Sequence, residues 1–118
     1  MKKEYYMLFA LALMVFGEIL TIYSEVYAAK LPGKFLETPG MFIKPMLLIC
    51  IAGVSLVFAY WLGYQASGNI WVVTVASLTL LLILEPIVIY AMLQELPKKG
   101  AVIGFILGAA GLISTVIL

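Results

Sequence analysis

The chain has 118 residues, 65% hydrophobic and 11% charged, with a net charge of +1. A soluble domain of this size cannot bury so much apolar surface, so the bilayer is the solvent that suits it. A charge near zero leaves no nucleic-acid footprint, the absence of histidine removes the commonest metal ligand and general base, and a single cysteine, Cys50, excludes a disulfide within the chain. No residue constellation points to an enzyme, a metal or a cofactor.

Four apolar runs follow one another, at about 5–28, 45–64, 70–93 and 101–118. The first opens with "MKKEYYMLFALALMVFGE", and "VYA" before Ala29 resembles a leader-peptidase site. The span is long for a leader, and Glu18 and Glu25 interrupt it, so a retained transmembrane helix is expected. The loop "AKLPGKFLETPGMFIK" is long and rich in glycine and proline. Its Phe35, Leu36, Met41 and Phe42 predict a position on the membrane surface. The second run starts at Pro45, which suits a first helical turn. "QASGN" and "QELPKKG" are short breaks, which makes neighbouring helices antiparallel. Backbone groups in lipid must be satisfied internally, so each run reads as a helix crossing most or all of a ~30 Å layer. The expected fold class is an all-α polytopic membrane protein: one membrane domain, residues 1–118, with four transmembrane helices per protomer. Loops one and three hold Lys30, Lys34, Lys44, Lys98 and Lys99, against Lys2 and Lys3 on the other side. That bias predicts both loops in the cytoplasm, and its modest size is compatible with insertion both ways.

All six acids are glutamate. Glu4, Glu37 and Glu95 fall in or beside loops and read as solvated charges. Glu18, Thr21 and Glu25 recur at i, i+3 and i+7 on one face of helix one. Glu25 is near enough to the loop to reach the interface. Glu18 is about 20 Å along the helix from Tyr5, and Glu85 about 22 Å along helix three from Ile70, so the two are expected at similar depth. Trp71, Thr74, Ser77, Leu81 and Glu85 form a polar line that should face protein or a cavity. The predicted spans hold no lysine or arginine. These acids must be protonated, hydrated or matched by a cation from outside, because burial and a neighbouring carboxylate both disfavour a charged carboxyl. Such a site exchanges protons for cations. Protonated glutamates bonded between helices for packing are the alternative. Pro86 removes the helical partner of the Leu82 carbonyl, which makes it a hinge or a simple bend.

"LGYQASGNIW" resembles the junction of helices two and three in small multidrug resistance transporters, roughly L-A-Y-x-P-x-G-x-A-Y. Leu62, Tyr64, Gly68 and Trp71 carry the match, and Gln65 and Ala66 mark the missing proline. "GFILGAAGL" is similar to that family's fourth helix, with Gly104 and Gly111 seven apart. "LEPIVIYAMLQELPKKGAVIG" resembles the wider drug/metabolite transporter superfamily through Glu85, Pro86, Glu95 and Gly104. "FGEILTIYSE" resembles the first-helix segment through Gly17, Leu20, Ser24 and Glu25. The family's helix-one glutamate aligns with Met14, and Glu18 stands one turn later on the same face. Loop one is longer than in the family, and Glu85 has no counterpart in its typical members. The resemblance implies a dimer, often antiparallel, with helix four as the contact. Independently, Gly104, Gly108 and Gly111 form a small-residue strip that permits close helix approach, between protomers or within one.

The leading expectation is a proton-coupled antiporter of organic or hydrophobic cations in a prokaryotic inner membrane. It would act as a homodimer, or as a heterodimer. Glu18 would be the shared proton and substrate site and Glu85 a tuning or second site. Trp71, Tyr60 and Tyr64 would offer aromatic faces to a cation, or serve as interface anchors. Two alternatives stay open. One is a subunit of a lipid-carrier flippase of the same superfamily, which lacks deep basic residues here. The other is a packing or regulatory membrane protein without transport.

Overall fold

The computed structural model describes residues 3–33 and 39–118. Lys2, Lys34, Phe35, Leu36 and Glu37 lie outside the described residues, together with the expectations that rest on them. Four helices follow in order: α1 (Lys3–Ala29), α2 (Ile43–Ser67), α3 (Ile70–Leu93) and α4 (Lys99–Ile117). A single 3-10 turn, Pro39–Phe42, leads into α2. No strand occurs among the described residues.

The helix ends have local causes. The second helix begins two residues before Pro45, which is tolerated because the first turn has no intrahelical use for its N–H groups. It also runs past Tyr64 to Ser67. There Gly68, at φ 69°, donates its N–H to the Tyr64 carbonyl and ends the helix in the left-handed conformation that glycine adopts without strain. Asn69 then caps α3, its side chain accepting the Trp71 N–H at 2.9 Å. Two residues thus stop one helix and start the next. The third helix passes through Pro86 without a break and ends at Gln94, φ 58°, whose N–H bonds to the Tyr90 carbonyl.

The first three helices pack on one another, and α4 packs against α3. Gly17 lets α1 approach α2: a Cβ there would come within 2.8 Å of Leu56 Cγ and 3.2 Å of the Ala52 carbonyl oxygen. Met14, Ala59 and Val73 meet at the centre, with Leu11, Leu13, Tyr60, Ala76 and Leu80 around them. Ser55 Oγ on α2 donates to the Leu13 carbonyl of α1 at 2.8 Å. At one end of the bundle Lys30 Nζ pairs with Glu95 Oε1 at 3.5 Å, which brings the segments after α1 and α3 together.

The surface is unlike that of a soluble protein. The buried polar set includes Glu18, Ser24, Ser55 and Ser77, while Leu8, Val57, Phe58, Trp61 and Ile106 stand out from the surface. Water would penalise that arrangement and hydrocarbon does not. All four helices are long and apolar enough to cross a membrane, and even α4, with 19 residues, reaches about 28 Å. The protein is an all-α integral membrane protein with four membrane-spanning helices.

Candidate functional site

The buried stripe of α1 runs Ala10, Met14, Glu18, Ile22, each one turn from the last. Hydrocarbon occupies three of these positions and a carboxyl the fourth. Glu18 is 5% exposed. On α3 the buried stripe is Val73 and Ser77, again one turn apart. The small serine side chain faces α1, and Ser77 Oγ donates to Glu18 Oε1 at 2.9 Å. That bond joins α1 to α3 inside the bundle.

The threonine and serine hydroxyls on α1 are spent locally. Thr21 donates to the Gly17 carbonyl and Ser24 to the Leu20 carbonyl, both within their own helix. No cation answers Glu18 among the described residues. Lys30 is engaged with Glu95, and Lys44 Nζ lies over the rings of Tyr23 and Tyr27, at 5.8 and 4.7 Å from their centroids. Glu85 and Glu25 are the acids close enough to act electrostatically on Glu18. The three carboxyls do not converge tightly enough to chelate: no metal-holding group of acids and cysteine forms among the described residues.

Glu85 is half-buried on the flank of α3 that turns from α1 toward α4. With Leu78, Leu81, Leu82, Phe105 and Gly108 it lines a cavity of about 280 Å³ between α3 and α4. Pro86 lines a neighbouring cavity with Pro97, Val102 and Phe105. The polar line of α3 therefore divides: Ser77 faces Glu18, Glu85 borders the α4 side, and Trp71, 74% exposed, lines a separate cavity with Asn69 and Thr115. Trp71 does not join the carboxyls within one protomer. Tyr60 packs half-buried against the central core, and Tyr64 is exposed on α2. Gly104 and Gly111 have open space where a Cβ would stand, and Gly108 meets Leu82 at 3.4 Å.

Sequence reading placed Ser77 on the right line without giving it a role. Its signal was its spacing: a small hydroxyl two turns before Glu85 on the same polar line. Ser55 and the Lys44–Tyr23–Tyr27 stack left less to find, because a serine bonded across helices and a lysine folded onto rings depend on how α1 and α2 meet. Met14, where the resembled family has its glutamate, is fully buried and belongs to the core.

Fold and site together define a class: an integral membrane protein whose three-helix core encloses a carboxyl held, among the described residues, by a serine. Compared with known protein families, characterised proteins and solved structures, the chain matches none.

Proposed function

We propose that the protein is a proton-coupled secondary transporter that exchanges organic cations for protons, with Glu18 as the shared site. The observation that carries this reading is Glu18 itself: a buried carboxyl in a membrane bundle, bonded to Ser77 and matched by no cation among the described residues. A bare charge there would cost on the order of several kcal/mol, so the group is neutralised either by a proton or by a visiting cation. One carboxyl that must take one or the other makes the two compete, and competition is the coupling an antiporter needs. The small multidrug resistance pattern in helices one, two and four supports the same class, and with it a prokaryotic inner membrane.

The working unit in this reading is a dimer, because four helices enclose little of an alternating-access path. The face carrying Gly104 and Gly111 supports α4 as the contact, since it is open in the protomer. Pro86 serves as the hinge that lets the half of α3 bearing Glu85 move against α4.

The test is proton release from purified protein in weak buffer when organic cations are added. Wild-type protein is expected to release protons, Glu18→Gln to release none, and Glu85→Gln to release them with altered affinity. Silence from folded wild-type protein across a broad panel of cations would sink the proposal.

A further inference from the structure

We propose that the cleft between the C-terminal half of α1 and the N-terminal half of α2 is a second binding site. It takes an amphipathic monocation, with the apolar body in the cleft and the charge against Glu25. The cleft has a volume of about 500 Å³ and is lined by Ala28, Pro45, Met46, Ile49 and Cys50, with Glu25 at its edge. That volume is in the range of small-molecule sites, roughly 300–1,000 Å³.

No polar atom faces the cleft: Ser24 also lines it, but its hydroxyl is spent on the Leu20 carbonyl. Glu25 therefore contributes its methylene stem to the wall, and its carboxylate stands outside it. Glu25 is exposed and has no hydrogen bond or ion pair among the described residues. The lysine nearest in sequence on α2, Lys44, is held on Tyr23 and Tyr27, so it leaves Glu25 unmatched. An apolar pocket with one unpaired carboxylate at its rim repels an anion and gives an uncharged chain only its wall. A cation with an apolar body gains both the wall and an ion pair at a lipid interface, where screening is weaker than in water.

The position gives the site a use. Glu25 lies seven residues beyond Glu18, two turns along the same face of α1, or about 10 Å closer to the loop. A cation held at Glu25 waits outside the buried carboxyl. The choice of ligand rests on the cation-carrier reading, but occupancy of the cleft is measured separately from proton exchange at Glu18.

Cys50 is the chain's sole cysteine, is exposed, and lines the cleft, so the unmodified protein carries its own reporter. The experiment follows alkylation of Cys50 by N-ethylmaleimide in non-ionic micelles. It is run with benzyltrimethylammonium or with neopentylbenzene, its uncharged isostere, at equal free concentration. The cation is expected to slow alkylation, and the isostere, which has only the wall, to slow it less at the same free concentration. Glu25→Gln, a change at an exposed position that does not threaten the fold, is expected to need roughly threefold to fivefold more cation, the factor a partly exposed ion pair carries. Glu18→Gln is expected to keep the protection while losing proton release, which tells failure of one site from failure of the other. Equal protection by both compounds would make the cleft an apolar crevice for acyl chains and overturn the proposal, as would undiminished protection in Glu25→Gln. Equilibrium dialysis of the labelled cation against wild type and Glu25→Gln makes the same comparison without the thiol, and equal binding by the two would overturn it too.

Discussion

Glu18 and Ser77 depend on each other. The serine hydroxyl has a buried acceptor to satisfy, and the carboxyl has no other donor from a neighbouring helix among the hydrogen bonds of the described residues. Ser77→Ala removes the donor and leaves a buried acceptor, which is expected to cost about 1–2 kcal/mol of bundle stability in a detergent unfolding titration. The same variant makes a spectroscopic prediction. In acid, the infrared carbonyl band of protonated Glu18, identified by its loss in Glu18→Gln, should move to higher wavenumber in Ser77→Ala because the oxygen no longer accepts a bond. An unmoved band would mean that Ser77 does not bond this carboxyl in the membrane.

At the scale of the elements, Gly17 and Pro86 act in opposite senses. Gly17 draws two helices together. Gly17→Val would drive a branched side chain into Leu56 and the Ala52 carbonyl, at an expected cost of about 1–3 kcal/mol, read from the same unfolding titration. Pro86 loosens a helix from within. Pro86→Ala returns an N–H to the Leu82 carbonyl, so hydrogen exchange over 82–86 should slow. Stability should rise by about 1 kcal/mol, and cation-coupled proton turnover should fall. Faster or unchanged turnover in a stiffer α3 would remove the hinge.

For the whole molecule, the decisive asymmetry is that α4 packs against α3 and has no buried residue of its own. A helix so placed has surface left for lipid or for a second copy. Replacing Gly104 and Gly111 together by isoleucine meets no obstacle within the protomer, because both positions open onto free space. The double variant should therefore fold, and its dimer in micelles should be weakened roughly tenfold or more in sedimentation equilibrium. Unchanged association would place the contact elsewhere. The outward-facing apolar side chains and inward-facing hydroxyls also mean that this bundle is specified by lipid as much as by its own contacts.

Much of the fold was legible in the sequence because length and hydropathy are local properties. Four runs of roughly twenty apolar residues, broken by Gly68–Asn69 and by the Pro97 segment, leave the backbone no alternative to helices in hydrocarbon. The same chemistry marked Glu18 and Glu85 as costly and therefore worth attention. Local signals could not say which helix each would face. Glu18 meets Ser77 because Gly17 and the small residues of α2 set how closely α1 packs, and only the assembled bundle fixes that rotation. Glu85, at matching depth by rise alone, turns to the flank beside α4 because it stands about 80° around α3 from Ser77, and Trp71 borders a separate cavity against α4 about 20 Å further along the same helix. The cleft beside Glu25 arises where two helices diverge, which no spacing along either one records. The sequence by itself determined that this chain lives in a membrane as helices and carries buried acid. The tertiary structure decided which acid is enclosed, which hydroxyl holds it and which surfaces remain open, because those follow from helix rotation and distance, and these belong to pairs of helices rather than to any one.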